Sequence, residues 1–187
     1  RIVLVSAALL LAIGSAWPLV LITCDRIDAR RGFPQLASFE SRTELGRWAV
    51  NGCKVSRVAE HTSAVRWALK IEVDEPIEYP GLFDSDVIRN ILPMKRLCVD
   101  LFVPGESPLK IWLRLDDRPS PVYSDRFQEL VSLFPGTNTI CIERAAAVST
   151  PSGRALDLGH IVSWGLFFDQ ARPGEILYLD NVRIVTE

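Results

Sequence analysis

The chain is poor in histidine and lacks the common catalytic motifs. It has two histidines, His61 and His160, in 187 residues. It contains no G-x-S-x-G, no H-E-x-x-H and no phosphate-binding loop motif, so the common signatures of serine hydrolases, zinc proteases and nucleotide hydrolases are missing. Its four cysteines, Cys24, Cys53, Cys98 and Cys141, form no C-x-x-C pair, which with so little histidine argues against a zinc site. An excess of basic charge is also lacking. The net charge is −2 and both signs are scattered along the chain, so nothing marks a nucleic-acid face. There is no internal repeat and no low-complexity segment.

What is present is hydrophobic. Apolar residues make up 48% of the chain, enough for a full core, and the length suits one domain with an appendage. The first residue is Arg1 rather than methionine, and the sequence is expected to be a fragment of a longer protein. Residues 2–23, IVLVSAALLLAIGSAWPLVLIT, contain no charged residue. That run is long enough to cross a ~30 Å hydrocarbon layer as a helix, with Trp17 near its far end at interfacial depth. The run exceeds the h-region of a signal peptide and lacks an A-x-A cleavage site. Leu21-Ile22-Thr23-Cys24 resembles a bacterial lipobox, with Thr23 where a smaller residue is usual; a buried helix of a soluble protein is the third alternative. Residues 1–24 are therefore expected to be a transmembrane helix and 25–32 a charged linker. Arg26, Arg30 and Arg31 after the span would place its C-terminal side inside by the positive-inside rule. Large domains cross membranes largely regardless of charge, so the expected location is the bacterial inner membrane with the following domain outside the cytoplasm.

Residues 33–187 read as strands. Trp67, Leu69, Ile71 and Val73 share one parity of their stretch; Leu97, Val99, Leu101 and Val103 do the same opposite Cys98, Asp100 and Phe102, and Leu109, Ile111, Leu113 and Leu115 opposite Lys110, Trp112 and Arg114. Period-two alternation puts one face of each strand in a core. Further strands are expected at Ala37–Glu40, Cys53–Ala59, Arg126–Leu133, Thr139–Glu143, Ile161–Phe168 and Glu175–Val185, divided by Pro/Gly turns. Nine or ten short strands with almost no helix predict an all-β, two-sheet antiparallel sandwich. The Met94–Val103 and Leu109–Asp116 strands are expected to pair as a hairpin across Pro104–Pro108. Cys98 and Cys141 share the non-core parity and are the best-placed pair for a disulfide, although semi-buried thiols are the favoured reading.

The densest group of contact-making side chains lies in Leu109–Phe127. The outward face of its strand carries Trp112, Arg114 and Asp116, and the loop beyond adds Tyr123, Asp125 and Arg126. An aromatic platform with hydrogen-bonding groups beside it suits a sugar. Trp112, Arg114, Asp116, Tyr123 and Arg126 are therefore candidate ligand contacts, with Asp100 and Phe102 expected on the paired strand. The competing reading is that the arginines and aspartates form a salt-bridge network pinning the loop, with Trp112 capped beneath it. Asp116, Asp117 and Asp125 can be imagined as a glycosidase pair, but loop carboxylates are usually solvated or paired, and no catalysis is expected.

Ala37-Ser38-Phe39-Glu40 with Trp48, and Leu177-Tyr178-Leu179-Asp180-Asn181-Val182-Arg183-Ile184, resemble the first and last strands of galactose-binding-like jelly-roll domains, which include many carbohydrate-binding modules. The resemblance implies a structural Ca²⁺ between those strands, here matched by Glu40 and Asp180. The preceding apolar helix, Phe33-Pro34, Asp116-Asp117-Arg118 and Tyr123-Ser124-Asp125-Arg126-Phe127 together resemble the C-terminal domain of some bacterial VanZ-like membrane proteins. The expected function is a membrane-tethered, non-catalytic module recognising a cell-envelope carbohydrate, with the lipid bilayer and a glycan as partners and no nucleic acid. The alternative is a structural or protein-interaction domain with no sugar site.

Overall fold

The computed structural model describes residues 32–84, 90–148 and 150–187, together with Trp17, Val20, Thr23, Cys24 and Ile27. Apart from Trp17, Val20 and Thr23, the expected membrane span at residues 2–23 lies outside the described residues, as does the linker after it apart from Ile27 and Gly32. Among the described residues no helix is long and apolar enough to cross a membrane.

Among the described residues the domain has eleven strands: β1 (Gln35–Ala37), β2 (Trp48–Asn51), β3 (Cys53–Val58), β4 (Ala68–Val73), β5 (Gly81–Asp84), β6 (Arg96–Val103), β7 (Leu109–Asp116), β8 (Phe127–Leu133), β9 (Gly136–Glu143), β10 (Ser163–Phe168) and β11 (Ile176–Val185). They form two antiparallel sheets. The first runs β3-β4-β11-β6-β9, with β1 added alongside β11, and the second runs β2-β5-β10-β7-β8. The expected two-sheet sandwich is what the chain forms.

The alternating residues meet between the sheets. Leu69, Ile71 and Val73 of β4, and Leu97, Val99, Leu101 and Val103 of β6, come from the first sheet; Ile111, Leu113 and Leu115 of β7, with Trp164, Leu166 and Phe168 of β10, come from the second. Each large apolar side chain taken fully out of water contributes about 1.5–3 kcal/mol, which is what holds the two layers face to face. In β11 the inward parity changes from Leu177 and Leu179 to Val182 and Ile184. A bulge between Asp180 and Arg183 absorbs the extra residue. Asn181 sits there with a φ of 49°, a left-handed conformation that asparagine tolerates better than most residues.

Four expectations need correction. First, β6 and β7 do not form a hairpin. β6 pairs with β11 and β9, whereas β7 pairs with β10 and β8. The Pro104–Pro108 segment instead carries the chain from one sheet to the other, and both strands still point their apolar parity at the same core. Second, the first strand covers Gln35–Ala37 rather than Ala37–Glu40; Phe39 has a φ of 59° and leaves the ladder with its ring fully buried. Third, β2 and β5 were not anticipated. In β5 only Leu82 points its side chain into the core as an apolar residue, so four residues offer no period to detect. Fourth, Cys98 and Cys141 are disulfide-bonded. They are direct partners across β6 and β9, where cross-strand side chains come close enough to join.

Candidate functional site

The two outer faces of the sandwich differ. On the first sheet the segment from Glu60 to Trp67 covers the centre. The ring of His61 stacks on Phe102 at 3.7 Å between centroids and meets Tyr178 edge-on at 4.6 Å. Ser63 Oγ donates to Asp100 at 3.0 Å, and the Ser63 and Ala64 amides donate to Asp180 at 2.7 and 3.0 Å. Asp100 also accepts hydrogen bonds from Thr139, Asn181 and Arg183. Burial pushes the Asp100 carboxyl up, but these donors outweigh it and hold it below the ordinary carboxylate value. Asp100 and Phe102 therefore lie beneath this segment on the sheet opposite β7. They do not join Trp112, because their strand belongs to the other layer.

The residues expected to hold calcium do not fit that role in this conformation. Glu40 Oε1 accepts the Arg66 and Trp67 amides at 2.8 and 2.9 Å. Asp180 accepts the amides at the other end of the same segment and the amide of Asn181 at 2.7 Å. Both carboxylates face N–H donors, whereas Ca²⁺ needs 6–8 converging oxygens. Among the described residues no group of three or more His, Cys, Asp or Glu side chains is placed to hold a metal ion.

The outer face of the second sheet is open. Two adjoining clefts lie on it. One, of about 240 Å³, is lined by Asn51, Tyr79, Trp112, Arg114, Tyr123, Arg126, Gln128 and Phe167. The other, of about 630 Å³, shares Asn51, Arg114 and Phe167 and continues past Phe83, Gly165 and Asp116 towards Arg118 and Ser120. Register explains the arrangement. Asn51, Gly81, Phe167, Trp112 and Leu130 are successive partners across β2, β5, β10, β7 and β8. The adjacent outward row is Ala49, Phe83, Gly165, Arg114 and Gln128.

Two glycines shape the floor of this groove. A Cβ built on Gly81 would lie 2.9 Å from Phe167 Cδ1, and one built on Gly165 would lie 2.9 Å from Phe167 Cε2. The Phe167 ring thus reaches over both glycines and lies down on the sheet instead of standing off it. Beside it, half-buried Trp112 is fixed by a hydrogen bond from its Nε1 to Asp169 Oδ1 at 3.1 Å. The result is a two-ring apolar floor with polar walls.

The structure assigns the charged candidates separate duties. Arg114 donates to both oxygens of Asp116, at 2.8 and 2.6 Å, and Asp116 also accepts from Ser163 Oγ at 3.0 Å. Next to this pair, Arg154 bridges Asp117 and Asp125, and Arg118 meets Asp125 at 3.1 Å. Burial pushes the Asp117 carboxyl up; the bonds from Arg154 and from the Asp157 amide more than offset this and keep it below its ordinary value. The bonds that Arg154 donates to Asp117, and next those to Asp125, raise its own pKa. Of the network expected among Arg114, Asp116, Asp125 and Arg126, only the Arg114–Asp116 pair forms within the set; Asp125 is held by Arg118 and Arg154 instead, Arg126 donates to Gln128, and an open cleft lies beside them. Tyr123 stands 60% exposed at the cleft rim, with the Arg126 guanidinium 5.6 Å from its ring centroid.

Sequence reasoning missed Phe167, Asn51, Tyr79, Gln128 and Arg154. Only the G-L-F-F run of β10, a small residue two before an aromatic, hinted at the floor.

No family model matches the chain, and no curated protein matches it in sequence. Solved structures do. A family 11 carbohydrate-binding module from Clostridium thermocellum, solved in complex with a β-1,3-1,4-mixed-linked tetrasaccharide, superposes with a TM-score of 0.61 at 17% identity over 81% of this chain and 94% of that one. An agarase matches with a TM-score of 0.61 at 14% identity over 82% of this chain, which spans 26% of the agarase chain. A Clostridium thermocellum xylanase comprising a carbohydrate-binding module and a catalytic module, complexed with xylohexaose, matches at 0.54 and 11% identity over 82% of this chain and 28% of that one. What is shared is the jelly-roll fold. At these identities the likeness reaches the fold and no further, so the use of the groove must be argued from its own side chains.

Proposed function

We propose that this domain is a non-catalytic glycan-binding module and that the glycan lies along the outer groove of the second sheet. The observation that carries this reading is the floor: Phe167 laid over Gly81 and Gly165, beside Trp112 held by Asp169. Flat rings stack on the C–H faces of sugars, and Asn51, Gln128 and Arg126 at the walls can hydrogen-bond hydroxyls. The mixed-linked tetrasaccharide bound by the Clostridium thermocellum module supports the same chemistry on the same fold. Non-catalytic action is supported by how the carboxylates beside the groove are engaged, with Asp169 accepting from the Trp112 indole. Asp116 and Asp117 are engaged by arginines, so neither is poised to carry a proton to a leaving group.

In this proposal the module stands outside the cytoplasm, tethered through the apolar segment at residues 2–23. The Cys98–Cys141 disulfide supports an oxidising compartment. Membership of a VanZ-like membrane protein rests on the sequence resemblance alone.

Trp112→Ala is the direct test. The indole is half-buried on an outer face, so the variant should retain the wild-type circular dichroism spectrum while losing binding on a glycan array. A wild-type protein that binds no glycan, yet self-associates or captures a partner, supports the interaction-domain alternative.

A further inference from the structure

Arg126 differs from the other arginines around the groove. Arg114 is neutralised by Asp116, and Arg118 and Arg154 share Asp117 and Asp125. Arg126 donates its Nε to Gln128 Oε1 at 2.8 Å. Among the described residues it has no carboxylate within ion-pair distance, and its two terminal amino groups have no acceptor. Its setting opposes its charge: burial first, and Arg114 second, lower its pKa, with Asp116 and Tyr123 acting the other way. No aspartate or glutamate lines the 240 Å³ cleft it faces. The floor of that cleft is aromatic, and its walls are Asn51, Gln128, Tyr79 and Tyr123 together with Arg114, which Asp116 engages; Asp169 and Glu78 lie behind the lining, bonded to Trp112 and Tyr79, so the lining charge without an ion pair is the Arg126 guanidinium fork. A fork with both terminal nitrogens available is the geometry that receives a carboxylate in two parallel hydrogen bonds. A neutral hydroxyl would leave the charge unanswered.

We propose that the cleft selects a uronic-acid-bearing glycan, whose carboxylate is received by the terminal amino groups of Arg126 while the pyranose ring rests on Trp112 and Phe167. This rests on the glycan-binding reading above and adds the class of sugar. Tyr123, over which Arg126 lies, would close the outer side of the same subsite.

The test uses the full chain in a non-glycosidic detergent on an array of neutral and uronic-acid-bearing polysaccharides. The best-bound polymer is then compared by calorimetry with the same polymer after carboxyl reduction, which turns each carboxylate into a hydroxymethyl group and keeps the linkage. The expected result is uronate-bearing hits, an affinity at least about tenfold higher for the unreduced polymer at low salt, and a ratio near one for Arg126→Gln. Neutral hits, or equal affinity before and after reduction, overturn the uronate assignment and leave the glycan reading standing. A preference that survives Arg126→Gln overturns the role of Arg126. Silence across the array overturns both readings.

Discussion

Substituting Gly165 with alanine tests how the aromatic floor is built. The added Cβ would lie 2.9 Å from Phe167 Cε2 and 3.0 Å from both Leu82 O and Phe83 Cβ, where ordinary contact begins near 3.4 Å. The neighbours must therefore retreat by about half an ångström. Phe167 and Phe83 can tilt, but Leu82 O belongs to β5, which is held on both sides by β2 and β10. Overpacking of this size costs about 1–3 kcal/mol. For a chain of this length that corresponds to a fall in Tm of roughly 2–12 °C. The decisive measurement is a double-mutant cycle by urea or thermal unfolding with Phe167→Ala. Removing the ring removes the nearest contact, so Gly165→Ala should cost less in that background, with a coupling of at least ~0.5 kcal/mol. If the two substitutions add within ~0.3 kcal/mol, the ring does not rest on Gly165, and the platform argument fails. Gly81→Ala is the control. Its Cβ would clash with Leu166 O, a backbone atom with nowhere to go, so it should destabilise more than Gly165→Ala in either background.

Two further predictions concern stability. Asp100 and Asp117 both have depressed pKa values. Their contribution is complete above the unfolded carboxylate value of ~3.9 and is lost as pH falls through the lower folded values. Asp117→Asn should therefore unfold at lower temperature than wild type at pH 7, by a gap that narrows steadily below about pH 4. A gap that stays constant down to pH 2.5 would remove Asp117 from the acid response. The disulfide closes a loop with a sequence separation of 43 residues, for which chain entropy predicts about 4 kcal/mol of stabilisation. The double replacement Cys98→Ser/Cys141→Ser should accordingly lower Tm by roughly 8–16 °C, and wild type should fall by a similar amount when unfolded under reducing conditions.

The Leu109–Phe127 stretch shows where sequence reasoning held and where it stopped. Its alternation correctly sorted Ile111, Leu113 and Leu115 into the core and Trp112 and Arg114 onto the other face, because side-chain parity is a property of one strand. The pairing of that strand was misread. Five residues between β6 and β7 are enough for a hairpin or for a crossing between sheets, and local sequence does not separate the two. That single choice put Asp100 and Phe102 in the wrong layer and hid Phe167, which reaches Trp112 only because β10, starting 47 positions after the end of β7 (Asp116 to Ser163), returns to pair with it.

The charged residues divide in the same way. Arginines and aspartates from 114 to 126 could be seen to offset one another locally, and Arg114 with Asp116, two apart on one strand, does so. The organiser of the loop, Arg154, comes from a segment without periodicity and finds Asp117 and Asp125 only in the folded chain. The sequence by itself determined the class of fold, the inward-facing residues and the strand that carries Trp112, since all three follow from short-range alternation and composition. Tertiary structure decided which face is open, which ring joins Trp112 and which arginine keeps an unanswered charge. Those depend on strand order and on contacts between distant segments, and no local pattern encodes them.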